Sequence, residues 1–259
     1  MKRWMIIIGV MLFYGAGFSQ DLSQYEKHYQ ISDKDTLPYR LLLPANYDAS
    51  KKYPLVLFLH GAGERGNDNE KQLIHGSKLF LSDESRTKHP AIVVFPQCPS
   101  GSYWSSVSFK SDSAGKRLFI FSADSEPTAA MKMVQELLHQ LIQKFPVEKK
   151  QVYVMGLSMG GMGTFEIVRR NPGLFAAAIP ICGGGAPSTA EKLKSTSWWV
   201  FHGAQDFTVP IKYSEEMVKA LEDVKARVKF TVYPDAGHNS WDPAFAEPEY
   251  LNWLFSHRR

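Results

Sequence analysis

Apolar runs alternate along this chain with stretches of helical periodicity. The runs lie at residues 39–43, 54–59, 91–95, 152–155, 176–181, 198–201 and 228–233. Most of them are continuously apolar and too short for a helix, which is typical of strands that are buried on both faces of a parallel sheet. The pattern therefore predicts a set of buried parallel strands.

Helical spacing fills two of the intervals between these runs. Pro127 is predicted to open one helix, and Pro210 precedes a second. The apolar residues at helical spacing are Met131, Val134, Leu137, Leu138, Leu141 and Ile142 in the first helix, and Tyr213, Met217, Leu221 and Val224 in the second.

Strands that alternate with helices predict βαβ units joined by right-handed crossovers. The expected fold class is therefore α/β, with a mostly parallel, doubly wound sheet flanked by helices. Residues 28–44 are expected to add an antiparallel pair at one edge. Residues 99–126 fit neither pattern, because they are rich in Ser and Gly yet contain Tyr103, Trp104 and Phe109. We interpret them as an excursion over the top of the sheet.

The first residues have the pattern of an export signal. Lys2 and Arg3 precede an uncharged, mostly apolar run at residues 4–14, and Gly17 and Ser19 occupy the −3 and −1 positions of a cut before residue 20. The run is shorter than the ~20 residues of a membrane-spanning helix. We therefore expect a signal peptide at residues 1–19, a single domain at residues 20–259, and a secreted or periplasmic protein that is not held in a membrane.

Composition and charge narrow the classes of function. The chain is 44% hydrophobic and 22% charged, which is ordinary for a globular protein. Loss of the signal would lower the net charge from +4 to about +2, an excess too small to predict a nucleic-acid partner. Cys98 and Cys182 form neither a disulfide framework nor a metal-ligand pattern. We favour two small buried residues, although export would permit a disulfide.

The sharpest motif is Gly156-Leu157-Ser158-Met159-Gly160, a G-x-S-x-G that directly follows the predicted strand at residues 152–155. Helix-compatible sequence follows it, and this strand–turn–helix context is the one in which the motif presents a nucleophilic serine. The turn is strained, and its two glycines relieve crowding between the residues on either side of the serine. A glycine-rich turn without chemistry is the alternative, but Ser158 is the predicted nucleophile.

A serine hydroxyl needs a base, and in this context the acid and then the histidine follow the serine along the chain. His238 lies in a loop just after the last predicted strand, from which an imidazole can reach the serine. His202 precedes the candidate acid and is interpreted as packing beneath a loop. His257, close to the C-terminus, is expected to be solvated. His238 is therefore the predicted base.

Four aspartates after Ser158 are candidates for the acid. Asp223 lies in a charged helical stretch, whereas Asp235 and Asp242 are too close to His238 in sequence to orient its ring easily. Asp206 follows the strand at residues 198–201, at the sheet edge where functional groups of open α/β sheets gather. We predict that Asp206 holds the imidazole of His238 in the correct tautomer.

Acyl transfer also requires backbone N–H donors for the developing oxyanion. One is predicted to be Met159, directly after the nucleophile, and the other to lie in the loop His60-Gly61-Ala62-Gly63-Glu64-Arg65-Gly66. Ala62 is the choice, with Gly63 as the alternative. The loop lacks the spacing of a phosphate-binding motif. His60 is interpreted as structural, and Glu64 and Arg65 as an ion pair that either braces the loop or lies on the surface.

Trp104 and Trp241 are candidates for the substrate pocket. Aromatic walls suit an aromatic or sugar-bearing substrate. Burial of both in the core is the competing interpretation.

Together these segments carry a family resemblance. The stretches HGAGERG, PQCPSGSYW, GLSMGGMGTFE, FHGAQD and DAGHNSW resemble the esterase and predicted-peptidase branch of the α/β-hydrolases. That branch is related to feruloyl and acetylxylan esterases, polyhydroxybutyrate depolymerases and the phospholipase/carboxylesterase group. The resemblance spans residues 35–256, and it implies a triad of Ser158, Asp206 and His238 with oxyanion donors at Ala62 and Met159.

The expected function is hydrolysis of carboxylic esters through an acyl-enzyme, without metal or cofactor. The resemblance suggests feruloyl or acetyl esters of plant polysaccharide, although a fold does not determine a substrate. A serine exopeptidase of the same fold is the alternative. A non-catalytic binding protein is disfavoured, because all three triad residue types are present.

Overall fold

The computed structural model describes residues 21–32, 35–115 and 117–259. The predicted signal peptide at residues 1–19 lies outside the described residues. Among the helices that the structure describes, none combines the length and the apolar character needed to cross a bilayer.

A long twisted sheet forms the centre of the described structure. In chain order the strands are β1 (Glu26–Ile31), β2 (Thr36–Leu42), β3 (Tyr53–Leu59), β4 (Ile92–Pro96), β5 (Val107–Ser111), β6 (Arg117–Phe121), β7 (Val147–Leu157), β8 (Ala177–Ile181), β9 (Ser197–Gly203) and β10 (Val228–Tyr233). The main sheet has the order β1-β2-β4-β3-β7-β8-β9-β10. From β4 to β10 all neighbours are parallel, while β1–β2 and β2–β4 are antiparallel. The predicted parallel sheet with an antiparallel edge is confirmed.

Helices cover both faces of this sheet. They are α1 (Asp83–Lys88), α2 (Ala129–Lys144), α3 (Met159–Arg170), α4 (Ala190–Leu193), α5 (Lys212–Asp223), α6 (Trp241–Phe245) and α7 (Tyr250–Ser256). The two predicted helices are α2 and α5. The first begins at Ala129 rather than at Pro127, because the Thr128 side chain accepts the Met131 N–H and caps the helix.

Alternate residues of the buried strands pack into two different hydrophobic cores. In β3, Leu55, Leu57 and Leu59 belong to a core that includes residues of α2, α3 and α5, whereas Val56 and Phe58 belong to a second core that includes residues of α7. Each strand therefore needs apolar residues at consecutive positions, and this is why the strands appear as continuous apolar runs.

The segment at residues 99–126 contains an element that the sequence pattern does not predict. Strands β5 and β6 pair antiparallel as a hairpin separate from the main sheet. Phe119 is buried in a cluster with Met162 of α3 and Tyr213 of α5, and the Phe119 N–H donates to the Tyr213 hydroxyl. Most residues of the hairpin are exposed, so its hydrophobic pattern in the sequence is weak. The hairpin is stabilised by its contacts with α3 and α5, which lie far along the chain.

Candidate active site

Ser158 lies at the junction of β7 and α3, in a backbone conformation that is rare for residues with side chains. Its φ is 55° and its ψ is −116°, a conformation that costs on the order of 1–3 kcal/mol. The Ser158 N–H donates to the carbonyl of Ile181 at 2.9 Å, which ties the turn to β8. The sheet thus maintains a strained turn that exposes the hydroxyl.

The two glycines of the turn are required by close backbone approaches. A Cβ at Gly156 would lie 2.5 Å from the carbonyl oxygen of Gly160. A Cβ at Gly160 would overlap the carbonyl of Leu59, and it would lie 2.8 Å from that of His60. The nucleophile turn is therefore pressed against the end of β3, and this contact brings the loop at residues 60–66 beside it.

The loops after β9 and β10 bring the other two predicted residues to Ser158. The Nε2 atom of His238 lies 2.9 Å from the Ser158 Oγ, and its Nδ1 atom lies 2.7 Å from the Asp206 Oδ2. The two loops are joined to each other, because the Gln205 N–H donates to the Ala236 carbonyl at 3.0 Å. Three side chains from distant parts of the chain thus form one line of hydrogen bonds.

Asp206 is placed to act as an anion. Its side chain is buried, and burial by itself raises the pKa of a carboxyl group, but hydrogen bonds from His202, His238 and the Val209 N–H outweigh burial and hold the Asp206 pKa well below its ordinary range. An ionised Asp206 accepts the Nδ1–H of His238, which leaves Nε2 free to accept the Ser158 proton. This tautomer is assigned from the hydrogen-bond partners.

The predicted oxyanion donors both begin helical segments. Met159 is the first residue of α3, and Ala62 is the first residue of a short 3-10 helix at Ala62–Glu64. The first N–H groups of a helix have no acceptor within it, so both are suited to bind an anion. Gly63, the alternative donor, follows Ala62 in the same short helix.

Arg65 and Glu64 do not pair with each other. The Arg65 guanidinium donates to the carbonyls of Ala62, Ser100 and Ser102, so it braces the loop through backbone groups. The Glu64 carboxylate lies 3.8 Å from the imidazole of His75. The predicted Glu64–Arg65 ion pair is therefore wrong, since each side chain finds partners on a different segment.

His60 has the structural position that was predicted for it. It is buried, its Nε2 accepts the Cys98 N–H at 2.9 Å, and its Nδ1 donates to the Gly61 carbonyl. Burial lowers the His60 pKa from its ordinary 6.5 to about 4. The neutral ring thus joins the loop at residues 60–66 to the segment after β4.

We expect His60 to make stability depend on pH. The unfolded chain binds a proton at His60 below about pH 6.5 and the folded chain only below about pH 4, so stability falls as pH falls across this window. The loss approaches ~3 kcal/mol. Urea unfolding from pH 7 to pH 4 should show a smaller decline for His60→Gln than for wild type, and equal declines in the two proteins would contradict this assignment.

The two predicted pocket tryptophans have different surroundings. Trp104 is completely buried, and its Nε1–H donates to the His60 carbonyl. Its assignment to the pocket wall is therefore corrected, because a side chain without exposed surface cannot contact a substrate. Trp241 is partly exposed, and its ring lies 5.5 Å from that of His238 and 5.2 Å from that of His75, which keeps it a candidate for the pocket.

Both cysteines are buried and unpaired. Burial raises the pKa of Cys98 to about 12 and that of Cys182 further above its usual range. The Cys182 sulfur lies with ligand atoms of Asp206 and His238 in a group whose members are within 4.8 Å of one another. The Asp206 Oδ2 and the His238 Nδ1 are hydrogen-bonded to each other at 2.7 Å, so each serves as the partner of the other. We therefore assign Cys182 to the packing beneath the triad.

Sequence reasoning missed two further features of the site. His202 packs beneath the loop as predicted, but its Nε2 also lies 3.3 Å from the Asp206 Oδ2. Phe207 follows Asp206 directly, and its side chain is 87% exposed. The motif FHGAQD contains His202, but only the folded loop shows that its ring lies close to the Asp206 carboxylate. No pattern in the sequence marks Phe207 as exposed beside Asp206.

Comparisons with known proteins place this chain in a family. The model of the phospholipase/carboxylesterase family matches residues 46–248. A thermostable esterase of known structure is 34% identical, with a TM-score of 0.81, and the alignment covers 91% of this chain and 64% of that one. The ferulic acid esterase of Anaeromyces mucronatus, solved with ferulic acid, is 16% identical with a TM-score of 0.63 and 90% of each chain covered, a likeness that shows the fold alone.

A curated relative is the bifunctional acetylxylan esterase/xylanase of Neocallimastix patriciarum. It is 23% identical over 171 residues, which are 66% of this chain and 22% of that protein. The chain thus spans about a fifth of this relative and less than two thirds of the thermostable esterase. Since the family model extends over most of the sequence, from the approach to β3 to the segment between α6 and α7, the chain belongs to the phospholipase/carboxylesterase family of α/β-hydrolases.

Proposed function

We propose that this protein is a serine hydrolase of carboxylic esters. The observation that carries the proposal is the line of hydrogen bonds from the Ser158 hydroxyl through His238 to Asp206. A neutral imidazole at hydrogen-bonding distance from a serine hydroxyl is the arrangement that activates this nucleophile. The family membership agrees with this chemistry.

In the proposed acylation step, the Ser158 oxygen attacks the ester carbonyl carbon while the His238 Nε2 takes the hydroxyl proton. The carbonyl oxygen becomes an oxyanion, which the N–H groups of Ala62 and Met159 stabilise. Loss of one such donor costs roughly 3–4 kcal/mol in related chemistry. His238 then passes its proton to the alcohol oxygen as the carbon–oxygen bond breaks, and the acyl group remains on Ser158.

In the proposed deacylation step, water replaces the alcohol. His238 takes a proton from the water, the hydroxide attacks the acyl carbon, and the same donors hold the second oxyanion. Collapse releases the acid and returns the proton to Ser158. Asp206 stays ionised throughout and stabilises the imidazolium that forms twice in each cycle.

The proposed substrates are small-molecule or polysaccharide-linked esters, including feruloyl and acetyl esters of plant polysaccharide. The names of two relatives, an acetylxylan esterase/xylanase and a ferulic acid esterase, support this substrate class. A partly exposed Trp241 beside His238 supplies an aromatic surface for an aromatic or sugar group.

A substrate panel tests the proposal. We expect turnover of p-nitrophenyl acetate and butyrate, and then of methyl ferulate or acetylated xylan in preference to long-chain esters. Aminoacyl-p-nitroanilides test the alternative, a serine exopeptidase. Turnover of the anilides alone would replace the esterase proposal with a serine exopeptidase, and no turnover of any member would end both.

Residues 20–259 are proposed to act as one exported catalytic domain, released after cleavage of residues 1–19. The charge, apolar run and small residues of that segment support this proposal. Expression with the native N-terminus in a Gram-negative host should give a secreted or periplasmic product whose mass corresponds to a chain that begins at Gln20. A product that retains residues 1–19 would overturn it.

A further inference from the structure

The carboxylate of Asp206 has two imidazoles on one oxygen. The Oδ2 atom lies 2.7 Å from the Nδ1 of His238 and 3.3 Å from the Nε2 of His202. The Oδ1 atom accepts the N–H groups of Thr208 and Val209 at 2.8 and 2.9 Å. Both oxygens are therefore occupied, and His238 shares its oxygen with a second ring.

His202 is held rigidly in this position. It is fully buried, its Nδ1 lies 2.8 Å from the Ser214 Oγ on α5, and its Nε2 lies 2.9 Å from the Val209 carbonyl. Since the Val209 carbonyl and the Asp206 carboxylate can only accept hydrogen bonds, Nε2 must carry a proton. Its N–H is directed at the Val209 carbonyl, and the oxygen that holds His238 is a longer second contact at 3.3 Å.

Few other charges surround this carboxylate. Among the residues that the structure describes, the salt-bridge partners of Asp206 are His202 and His238, and no lysine or arginine is among them. The remaining titratable neighbour is Cys182, whose buried thiol favours the neutral form. Besides His238, the second ring is thus the charged or titratable side chain closest to Oδ2 among the described residues.

We propose that His202 is a positioning residue of the triad: its Nε2–H shares Oδ2 with His238 and sets how strongly Asp206 retains the catalytic imidazolium. The inference rests on the proposed function for its kinetic consequence, but the hydrogen-bond arrangement is independent of it. A shared oxygen holds the imidazolium less tightly, so that His238 returns its proton more easily to the leaving alcohol.

Two conservative variants separate this role from simple packing. His202→Asn keeps a polar group near the position of Nδ1, within reach of Ser214, but has no atom where Nε2 was. His202→Gln extends an amide N–H to the position of Nε2. Both lose the ring, so a purely structural role predicts similar behaviour for the two. Thr196→Val is a control for the loss of a buried hydrogen bond, since the Thr196 hydroxyl donates to the Phe175 carbonyl just before β9, at the end of the strand opposite to His202.

We expect His202→Asn to move the acid limb of the kcat/KM–pH profile to higher pH by about 0.5–1 unit, because Oδ2 then serves His238 alone. His202→Gln should bring the limb back toward that of wild type, and Thr196→Val should leave it unchanged. A uniform loss of kcat/KM in both His202 variants, with the limb in place, would overturn the proposal.

NMR titration of the imidazole of residue 238 in the same proteins separates this inference from the proposed function, because it needs no turnover. A shifted midpoint in His202→Asn without any esterase activity in wild type would sustain the inference and end the esterase proposal. Esterase activity in wild type with identical midpoints in all proteins would sustain the esterase proposal and overturn the inference about His202. If His202→Asn does not fold, Ser214→Ala can replace it, because it removes the hydrogen-bond partner that anchors the His202 ring. A midpoint for residue 238 that is raised in Ser214→Ala but not in His202→Gln would support the shared oxygen. Equal midpoints in the two variants would overturn it.

Discussion

Replacement of Ser158 by alanine is expected to lower kcat for p-nitrophenyl acetate by a factor of about 10⁴–10⁶. The hydroxyl supplies the atom that bonds to the acyl carbon, and no other described group lies at the end of the hydrogen-bond line from Asp206 through His238. Alanine retains a Cβ, so the strained turn changes little, and the variant should fold with a stability close to that of wild type. Steady-state kinetics and urea unfolding measure the two effects.

Ser197→Ala is the matched control. Ser197 is buried, and its hydroxyl lacks a hydrogen-bond partner among the described residues, so its removal should leave kcat unchanged. A fluorophosphonate probe should label wild type and Ser197→Ala at Ser158, and fail to label Ser158→Ala. Retention of wild-type rates by Ser158→Ala would refute the proposed nucleophile.

Replacement of Asp206 by asparagine is expected to lower kcat by about 10³–10⁴. The N–H groups of Thr208 and Val209 bind Oδ1, so they will hold the amide oxygen of asparagine there and turn its NH₂ toward His238. The imidazole must then present Nδ1 as an acceptor and carry its proton on Nε2, where it can no longer take the Ser158 proton. The loss thus follows from a changed tautomer as well as from a lost charge.

Asp223→Asn tests whether any lost carboxylate has this effect. Asp223 is an exposed residue of α5, paired with Lys219, and its replacement should leave kcat within twofold of wild type. Activity in Asp206→Asn equal to that in Asp223→Asn would exclude Asp206 as the partner of His238. Since Asp206 also joins two loops, urea unfolding should accompany the kinetics.

Most of the sheet could be predicted from the sequence because its strands are buried on both faces. Each of β3, β4, β7, β8 and β9 contains a continuous apolar run, and such a run is visible without any knowledge of neighbours. The hairpin β5–β6 could not be predicted in this way, since most of its residues are exposed and its buried Phe119 is stabilised by Met162 and Tyr213, which lie far along the chain.

In the candidate site, too, some features could be predicted from the sequence and others could not. Ser158, Asp206 and His238 stand out in the sequence because each follows a predicted strand, and parallel strands deliver their carboxyl ends to one edge of the sheet. The structure brings these three side chains together, and their catalytic roles remain the proposal that the variants test.

The sequence by itself therefore determined the buried strands, the helices α2 and α5, the strained serine turn and the triad candidates, because these depend on local spacing and strand ends. Only the tertiary structure decided that Trp104 is buried against the loop at residues 60–66, that Trp241 lies beside His238, and that His202 lies 3.3 Å from the Asp206 carboxylate. These are contacts between side chains, and which ring faces which carboxylate depends on the packing of loops and helices that no local pattern encodes.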